Sequence, residues 1–256
     1  MRDAVVFAGY FPSANSLLVA QEFIRFFKTY YGDCDFFVGA NPSGFADSFE
    51  LLFRHSGLNT EFSIAPKELV VDSDASAFQA ALGLLKRRTK SYRNVYFFHS
   101  KGATNRNSAE TRKLFLKFFQ NRNRITAALS LDGIGTYSLF LGKHANYFED
   151  KLSDFFNFQR PYFYSYLYFH TIFAARAQPL LQFIDTCKSE FWSINLGNFG
   201  DRYFFERDFT HVIWREGLCP FTEYYVDWNN GLQVNEKILL SNYDNYRLMQ
   251  PSLILG

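Results

Sequence analysis

The chain has 256 residues, 48% of them hydrophobic, and its formal net charge of +2 with an isoelectric point near 8.3 is close to balance. That length supports one sizeable buried core, and the lack of a dense Lys/Arg face argues against nucleic acid as a partner. Three widely spaced cysteines, Cys34, Cys187 and Cys219, form neither a disulfide framework nor a C-x-x-C metal or redox pair, so a reducing cytoplasmic setting is expected.

In chain order, Ala4 to Gly9 reads as a buried strand and Tyr10-Phe11-Pro12-Ser13 as the loop leaving it. Leu17 to Tyr31 is predicted as a helix closed by Gly32, and Asp35 to Gly39 as a second strand ending in Asn41-Pro42-Ser43-Gly44. Asp47 to His55 is a second predicted helix. Glu61 to Ala65 and Glu68 to Val71 are candidate strands, and Ser76 is predicted to cap a helix whose Phe78, Ala81, Leu82 and Leu85 fall at i, i+3, i+4 and i+7. Val95-Tyr96-Phe97-Phe98 suits a central strand covered on both sides.

Ser108 to Leu129 is then expected as one helix, with Leu114, Phe115, Phe118, Phe119 and Ile125 inward and Arg112, Lys113, Lys117 and Arg122 outward or toward a ligand. Ile134 to Leu141 reads as a strand, Ala174 to Cys187 as a helix, and Arg202 to Arg215 as another. The tail from Asn229 is polar and is expected to wrap the surface. The residues after Met1 are too short for a signal-peptide core and no apolar run reaches spanning length, so a soluble protein is expected. The alternation predicts a single α/β domain over 1–256 with a mostly parallel central sheet flanked by helices. Aromatic residues make up 20% of the chain, with 32 Phe and 16 Tyr, and core packing has to absorb most of them.

Ligands of open α/β sheets collect at the carboxyl ends of strands, which directs attention to Gly9-Tyr10, Asn41-Pro42, Asp72-Ser73-Asp74 and His99-Ser100-Lys101-Gly102. His99 and Lys101 follow a hydrophobic strand, and Gly102 lets backbone approach a ligand ahead of a helix N-terminus, a setting suited to phosphate. Alternatively His99 ends the strand and Lys101 is solvated. Asp72-Ser73-Asp74 has the D-x-D spacing that holds Mg²⁺ or Mn²⁺ on a diphosphate, but it precedes a helix, where Asp and Ser serve as caps; otherwise one of the aspartates binds the base or ribose of a nucleotide. Tyr162, Tyr164, Tyr166 and Tyr168 alternate along a strand-like segment, suited either to sugar stacking or to packing at an interface. No G-x-G-x-x-G follows the first strand, and no Gly-x-x-x-x-Gly-Lys-Ser/Thr occurs, which weakens dinucleotide and P-loop readings.

Phe97-Phe98-His99-Ser100-Lys101-Gly102-Ala103-Thr104, the basic Arg112 and Lys113, Phe173-Ala174-Ala175-Arg176-Ala177, and Phe205-Glu206-Arg207 with Trp214 together resemble bacterial polysaccharide glycosyltransferases of the rhamnan-synthesis and capsule-polysaccharide kind, over about residues 4 to 216. The resemblance implies a GT-A-like, Rossmann-like fold with a donor half over about 1–130, an acceptor half over about 131–228 and a tail over 229–256. It implies transfer of a sugar from a nucleotide-diphosphate donor to a glycan or lipid-linked acceptor in surface polysaccharide synthesis. Gly9, Tyr10, Asp72, Asp74, His99, Lys101, Gly102 and Arg112 are the donor-site candidates. His99 and Lys101 stand where the metal motif would be, so cations would neutralise the leaving diphosphate and no cofactor or divalent ion would be required. Asp201 and Glu206 are candidates for the base on the acceptor hydroxyl, with His99 also placed in the catalytic set. Their structural alternatives are an N-cap for Asp201 and pairing with Arg202 for Glu206. His170, Arg176 and Asn198 are acceptor-side candidates, although a lone His among aromatics also fits a core. A lipid-linked acceptor leaves room for peripheral contact at the inner face of a membrane. The alternative function is a catalytically silent carbohydrate-binding or assembly protein on the same fold.

Overall fold

A computed structural model describes residues 1–66, 75–88, 91–100, 109–145, 164–168, 172–186 and 218–227. The elements are β1 (Arg2–Gly9), α1 (Ala14–Tyr30), β2 (Asp35–Ala40), α2 (Ala46–Arg54), β3 (Asn59–Ile64), α3 (Ala75–Lys86), β4 (Tyr92–His99), α4 (Ala109–Phe119), α5 (Arg122–Leu129), β5 (Ile134–Ala145), β6 (Tyr164–Tyr168), β7 (Phe173–Arg176), α6 (Ala177–Thr186) and β8 (Cys219–Asp227). They build one sheet in the order β3-β2-β1-β4-β7-β5-β6, with β8 paired to β5. The first four strands are all parallel. Beyond β4 the sheet is mixed: β7 runs antiparallel to β4 and β5, β6 antiparallel to β5, and β8 parallel to β5.

Alternation along the strands divides the core into two layers. Val5 and Phe7 of β1, Phe36 and Val38 of β2, and Tyr96 and Phe98 of β4 face one layer with α1, α2, α4 and α5. Ala4, Val6 and Ala8, Phe37, Val95 and Phe97 face the other with α3 and α6. Continuous apolar runs are therefore what the central strands require, since both their faces are covered. Much of the phenylalanine content is used here. Phe7 alone lies 5.0 to 6.1 Å from the rings of Phe23, Phe27, Phe49 and Phe53, and Phe97 stacks on Phe173 at 4.4 Å.

Local chemistry sets the helix starts. Ser13 and Ser16 form a reciprocal capping box that begins α1 three residues earlier than the apolar periodicity indicates. Ser76 is not a cap: α3 starts at Ala75, and Ser76 is buried within its first turn. The stretch read as one helix from Ser108 to Leu129 is two. Asn121 leaves the helical conformation and accepts from the Arg124 amide at 3.2 Å, capping α5, while the Tyr31 hydroxyl donates to the Phe119 carbonyl at 2.8 Å at the end of α4.

The segment read as a helix from Ala174 divides as well. Phe173–Arg176 is a strand inside the sheet, hydrogen-bonded to β4 on one side and β5 on the other, and α6 begins only at Ala177. Alanine favours helices, but filling the gap between two strands outweighs that preference, and Ala174 and Ala175 are fully buried there. Strand β8 has no counterpart in the sequence reading. The candidate strand Glu68 to Val71, the helix Arg202 to Arg215 and the tail from Asn229 lie outside the described residues.

Candidate functional site

Chain order and sheet order diverge at one place. From β1 the chain moves outward through α1, β2 and α2 to β3, with both helices on one face, and α3 then returns along the opposite face to β4, on the other side of β1. The strand order therefore reverses between β1 and β4, whose carboxyl ends lie side by side at a topological switch point, while the helices α1 and α4 pack on the same face. Gly9-Tyr10 and His99-Ser100 are the residues at these two ends, with Ala8 and His99 in register.

Hydrogen bonds through backbone groups tie these strand ends together. The Ser100 amide donates to the Ala8 carbonyl at 2.9 Å, and the Tyr10 amide donates to Ser100 Oγ at 2.9 Å, joining the two loops. The Asn41 amide donates to the Gly9 carbonyl at 2.8 Å, and Ser43 Oγ donates to the Phe11 carbonyl at 2.8 Å, tying the loop after β2 to the loop after β1. Ser100, Asn41 and Ser43 had no assigned role in the sequence reading. The signal for them is positional: each follows directly, or within three residues, the last residue of a parallel strand. Gly9 serves packing, because a Cβ there would run into the rings of Phe11 and Phe49. Gly39, near the end of β2, lies against the backbone of α3 so closely that a Cβ would collide with the Ala77 carbonyl.

His99 is 6% exposed, the last residue of β4, and strand alternation puts it in the α3 layer with Phe97. Arg112 is also buried, and its guanidinium donates to Glu22 of α1 from Nε at 3.0 Å and from Nη2 at 2.9 Å. It therefore joins α4 to α1. Arg176 sits at the other end of the sheet. It is opposite Asn94, five residues and about 16 Å along β4 from His99. Its Nε donates to the Leu129 carbonyl at 2.7 Å and its Nη2 to the Leu131 carbonyl, which closes the carboxyl end of α5. Lys101, Gly102, Asp72, Asp74, His170, Asn198, Asp201 and Glu206 lie outside the described residues, as does Tyr162 of the tyrosine row; Tyr164 to Tyr168 form β6. Among the described residues no group of His, Cys, Asp and Glu is gathered to hold a metal, and no helix is long and apolar enough to cross a membrane.

Among the described residues, a cluster of ion pairs lies at the amino end of the sheet. Asp3 is fully buried, accepts from Arg93 at 2.9 and 3.0 Å and from Arg122 at 2.7 and 3.1 Å, and also takes the Asn94 amide at 3.3 Å. Burial alone would raise its pKa, but the two guanidiniums outweigh it and hold the carboxyl below its ordinary value. Arg122 also pairs with Asp33 and lies 5.6 Å from the Tyr31 ring centre and 5.9 Å from that of Tyr96. Burial pushes the Tyr96 hydroxyl up to about 12 and the Cys34 thiol up to about 12, so neither ionises near neutrality. Nearby, Asp35 accepts from Asn59 at 2.6 Å and from the Tyr92 hydroxyl at 3.0 Å.

No known family matches this sequence, and no curated protein matches it. Among solved structures, the galactosyltransferase LgtC in complex with donor and acceptor sugar analogs is similar over 86% of this chain and 73% of that one, at 13% identity and a TM-score of 0.37. An active-site mutant of LgtC is similar over 86% and 72%, at 11% identity and a TM-score of 0.37. Similarity at that level leaves the site to be argued from its own topology and geometry.

Proposed function

We propose that the chain is a glycosyltransferase that moves a sugar from a nucleotide-diphosphate donor to a glycan or lipid-linked acceptor. The observation that carries this reading is the switch point between β1 and β4, where two hydrogen-bonded strand ends present Gly9-Tyr10 beside His99-Ser100 and lead directly into Lys101-Gly102. Backbone held in this way approaches a diphosphate without reorganising, and Lys101 supplies the positive charge. In the transfer, the acceptor hydroxyl attacks the anomeric carbon, the bond from that carbon to the diphosphate oxygen breaks, and the hydroxyl proton passes to a carboxylate, Asp201 or Glu206. The negative charge gathering on the departing nucleoside diphosphate is met by Lys101 and His99, without a required divalent ion. Asp72 or Asp74 takes the base or ribose, and His170 and Asn198 line the acceptor side.

The test is a thermal-shift series with UDP, GDP, CMP and dTDP, each with and without Mg²⁺ or Mn²⁺, because a ligand of the folded state raises the melting temperature. Stabilisation by one nucleotide regardless of metal supports the reading, and Lys101→Ala should then weaken that nucleotide by about 1.5–3 kcal/mol, the range for a hydrogen bond to a charged group. Stabilisation that needs metal would move the diphosphate to Asp72 and Asp74. No response to any nucleotide would overturn the donor site and leave a silent carbohydrate-binding or assembly protein.

A further inference from the structure

Strand β5, with 12 residues, outruns the 8-residue β4. Its Tyr137 lies in one row with Ala174 of β7 and Tyr96 of β4, so Leu141, four residues on, stands level with Ser100, and Ala145 lies about 13 Å beyond that. Over this extension, Leu141 to Lys143 pair with β6 on one edge and β8 on the other, which makes a small three-stranded sheet past the carboxyl end of β4. Register sorts its residues onto two faces. Tyr164, Tyr166 and Tyr168 of β6 share one face with Lys143 of β5 and with Tyr225 and Asp227 of β8, while Ser165 and Leu167 take the other. Farther down β5 the tyrosine-bearing face continues through Leu139 and Tyr137 into the core layer of α4 and α5, where Phe118 stacks on Tyr137 at 5.6 Å. Among the described residues, β6 and β8 pack chiefly on β5.

We propose that this tyrosine face, beyond the carboxyl end of β4, binds an uncharged glycan and is the platform on which the acceptor lies. Three tyrosines recur about 6.6 Å apart along β6, and Tyr225 stands about 10 Å across the sheet in the row of Tyr168. A phenol ring offers an apolar face to the C–H face of a sugar and a hydroxyl to the sugar's own hydroxyls. Packing against protein fits less well, because each buried tyrosine hydroxyl would need a partner and aliphatic residues would fill the same positions without that cost. An anionic glycan fits less well, because the cation Lys143 and the anion Asp227 are register partners and leave the row of Tyr166 without net charge. The place fits as well: the extension begins level with His99-Ser100, from which the chain enters Lys101. The proposal rests on the glycosyltransferase reading only in making this glycan the acceptor.

The test is affinity electrophoresis of the full chain in native gels containing dextran, mannan or galactan. At least one of these uncharged polymers should retard the chain. Tyr166→Ile and Tyr225→Ile combined should raise the apparent Kd about tenfold, and Ser165→Ala, on the opposite face, should leave it unchanged. Isoleucine keeps the strand preference and removes the ring, so the melting temperature without ligand and the nucleotide response of the double variant should stay close to those of wild type. If the double variant folds poorly, Tyr166→Ile alone serves the same purpose. No retardation by any of the three polymers, equal retardation of the tyrosine variants, or a dimer in solution that the double variant dissociates would overturn the proposal. The two readings fail separately: a chain that ignores nucleotides but is retarded loses the donor site and keeps the platform, and one that binds nucleotide but no polymer does the reverse.

Discussion

The two ends of the sheet solve the same problem differently. At the amino end, fully buried Asp3 and nearly buried Asp35 are surrounded by donors, and Arg122 bridges Asp3 and Asp33, so the charges cancel within the protein. At the carboxyl ends of β1, β2 and β4, the loops are joined through backbone groups and small hydroxyls, at Ser100, Asn41 and Ser43, with no ion pair among these residues. A buried ion network satisfied by its own partners acts as a structural clamp. Strand ends tied by backbone and hydroxyl hydrogen bonds hold their shape without an ion network.

Substitutions at each end should separate these roles. Asp3→Ala should have the largest effect, about 3–5 kcal/mol of stability by urea denaturation, since it strips a buried carboxylate from two guanidiniums; half-exposed Arg93 can return to water and Arg122 keeps Asp33, which favours the lower figure. Nucleotide affinity of the folded fraction should be unchanged, and a specific loss of it would place function at the amino end. The same carboxylate predicts a pH dependence. Its folded pKa lies below the unfolded value of about 3.9, so its contribution is full above that value and disappears as pH falls through the folded one. The stability gap between wild type and Asp3→Asn should therefore narrow below about pH 3.9, whereas a constant gap would mean that the ionised form contributes nothing.

Next in size, Gly39→Ala should cost about 1–3 kcal/mol by overpacking against the Ala77 carbonyl, a backbone atom that cannot rotate aside. Because it pushes α3 away from the carboxyl end of β2, it should also lower the thermal shift given by nucleotide; a purely structural loss would show the proposed donor site to be independent of α3. Ser100→Ala is the mildest, about 1 kcal/mol for one hydrogen bond to the Tyr10 amide. Its sharper readout is the nucleotide response, which should fall by more than the stability if the Tyr10 loop belongs to the donor site.

Much of the parallel half was legible in the sequence. The apolar runs from Ala4 and Val95 have to be strands covered on both faces, and the amphipathic stretches between them have to be their covering helices, because period and hydrophobicity are local properties. The switch-point loops were legible for the same reason, since they follow those runs directly. Long-range packing decided the rest. Phe173–Arg176 became a strand because β4 and β5 leave one place between them, and β8 pairs with β5 from more than seventy residues away. Arg112 and Arg176 read as ligand contacts because a sequence displays charge without showing its partner. Only the fold brings Glu22 to the first, and the carbonyls of Leu129 and Leu131 to the second. Asp3, Arg93 and Arg122 are likewise separated by up to 119 positions, and only the closing of the sheet against α5 makes them one cluster.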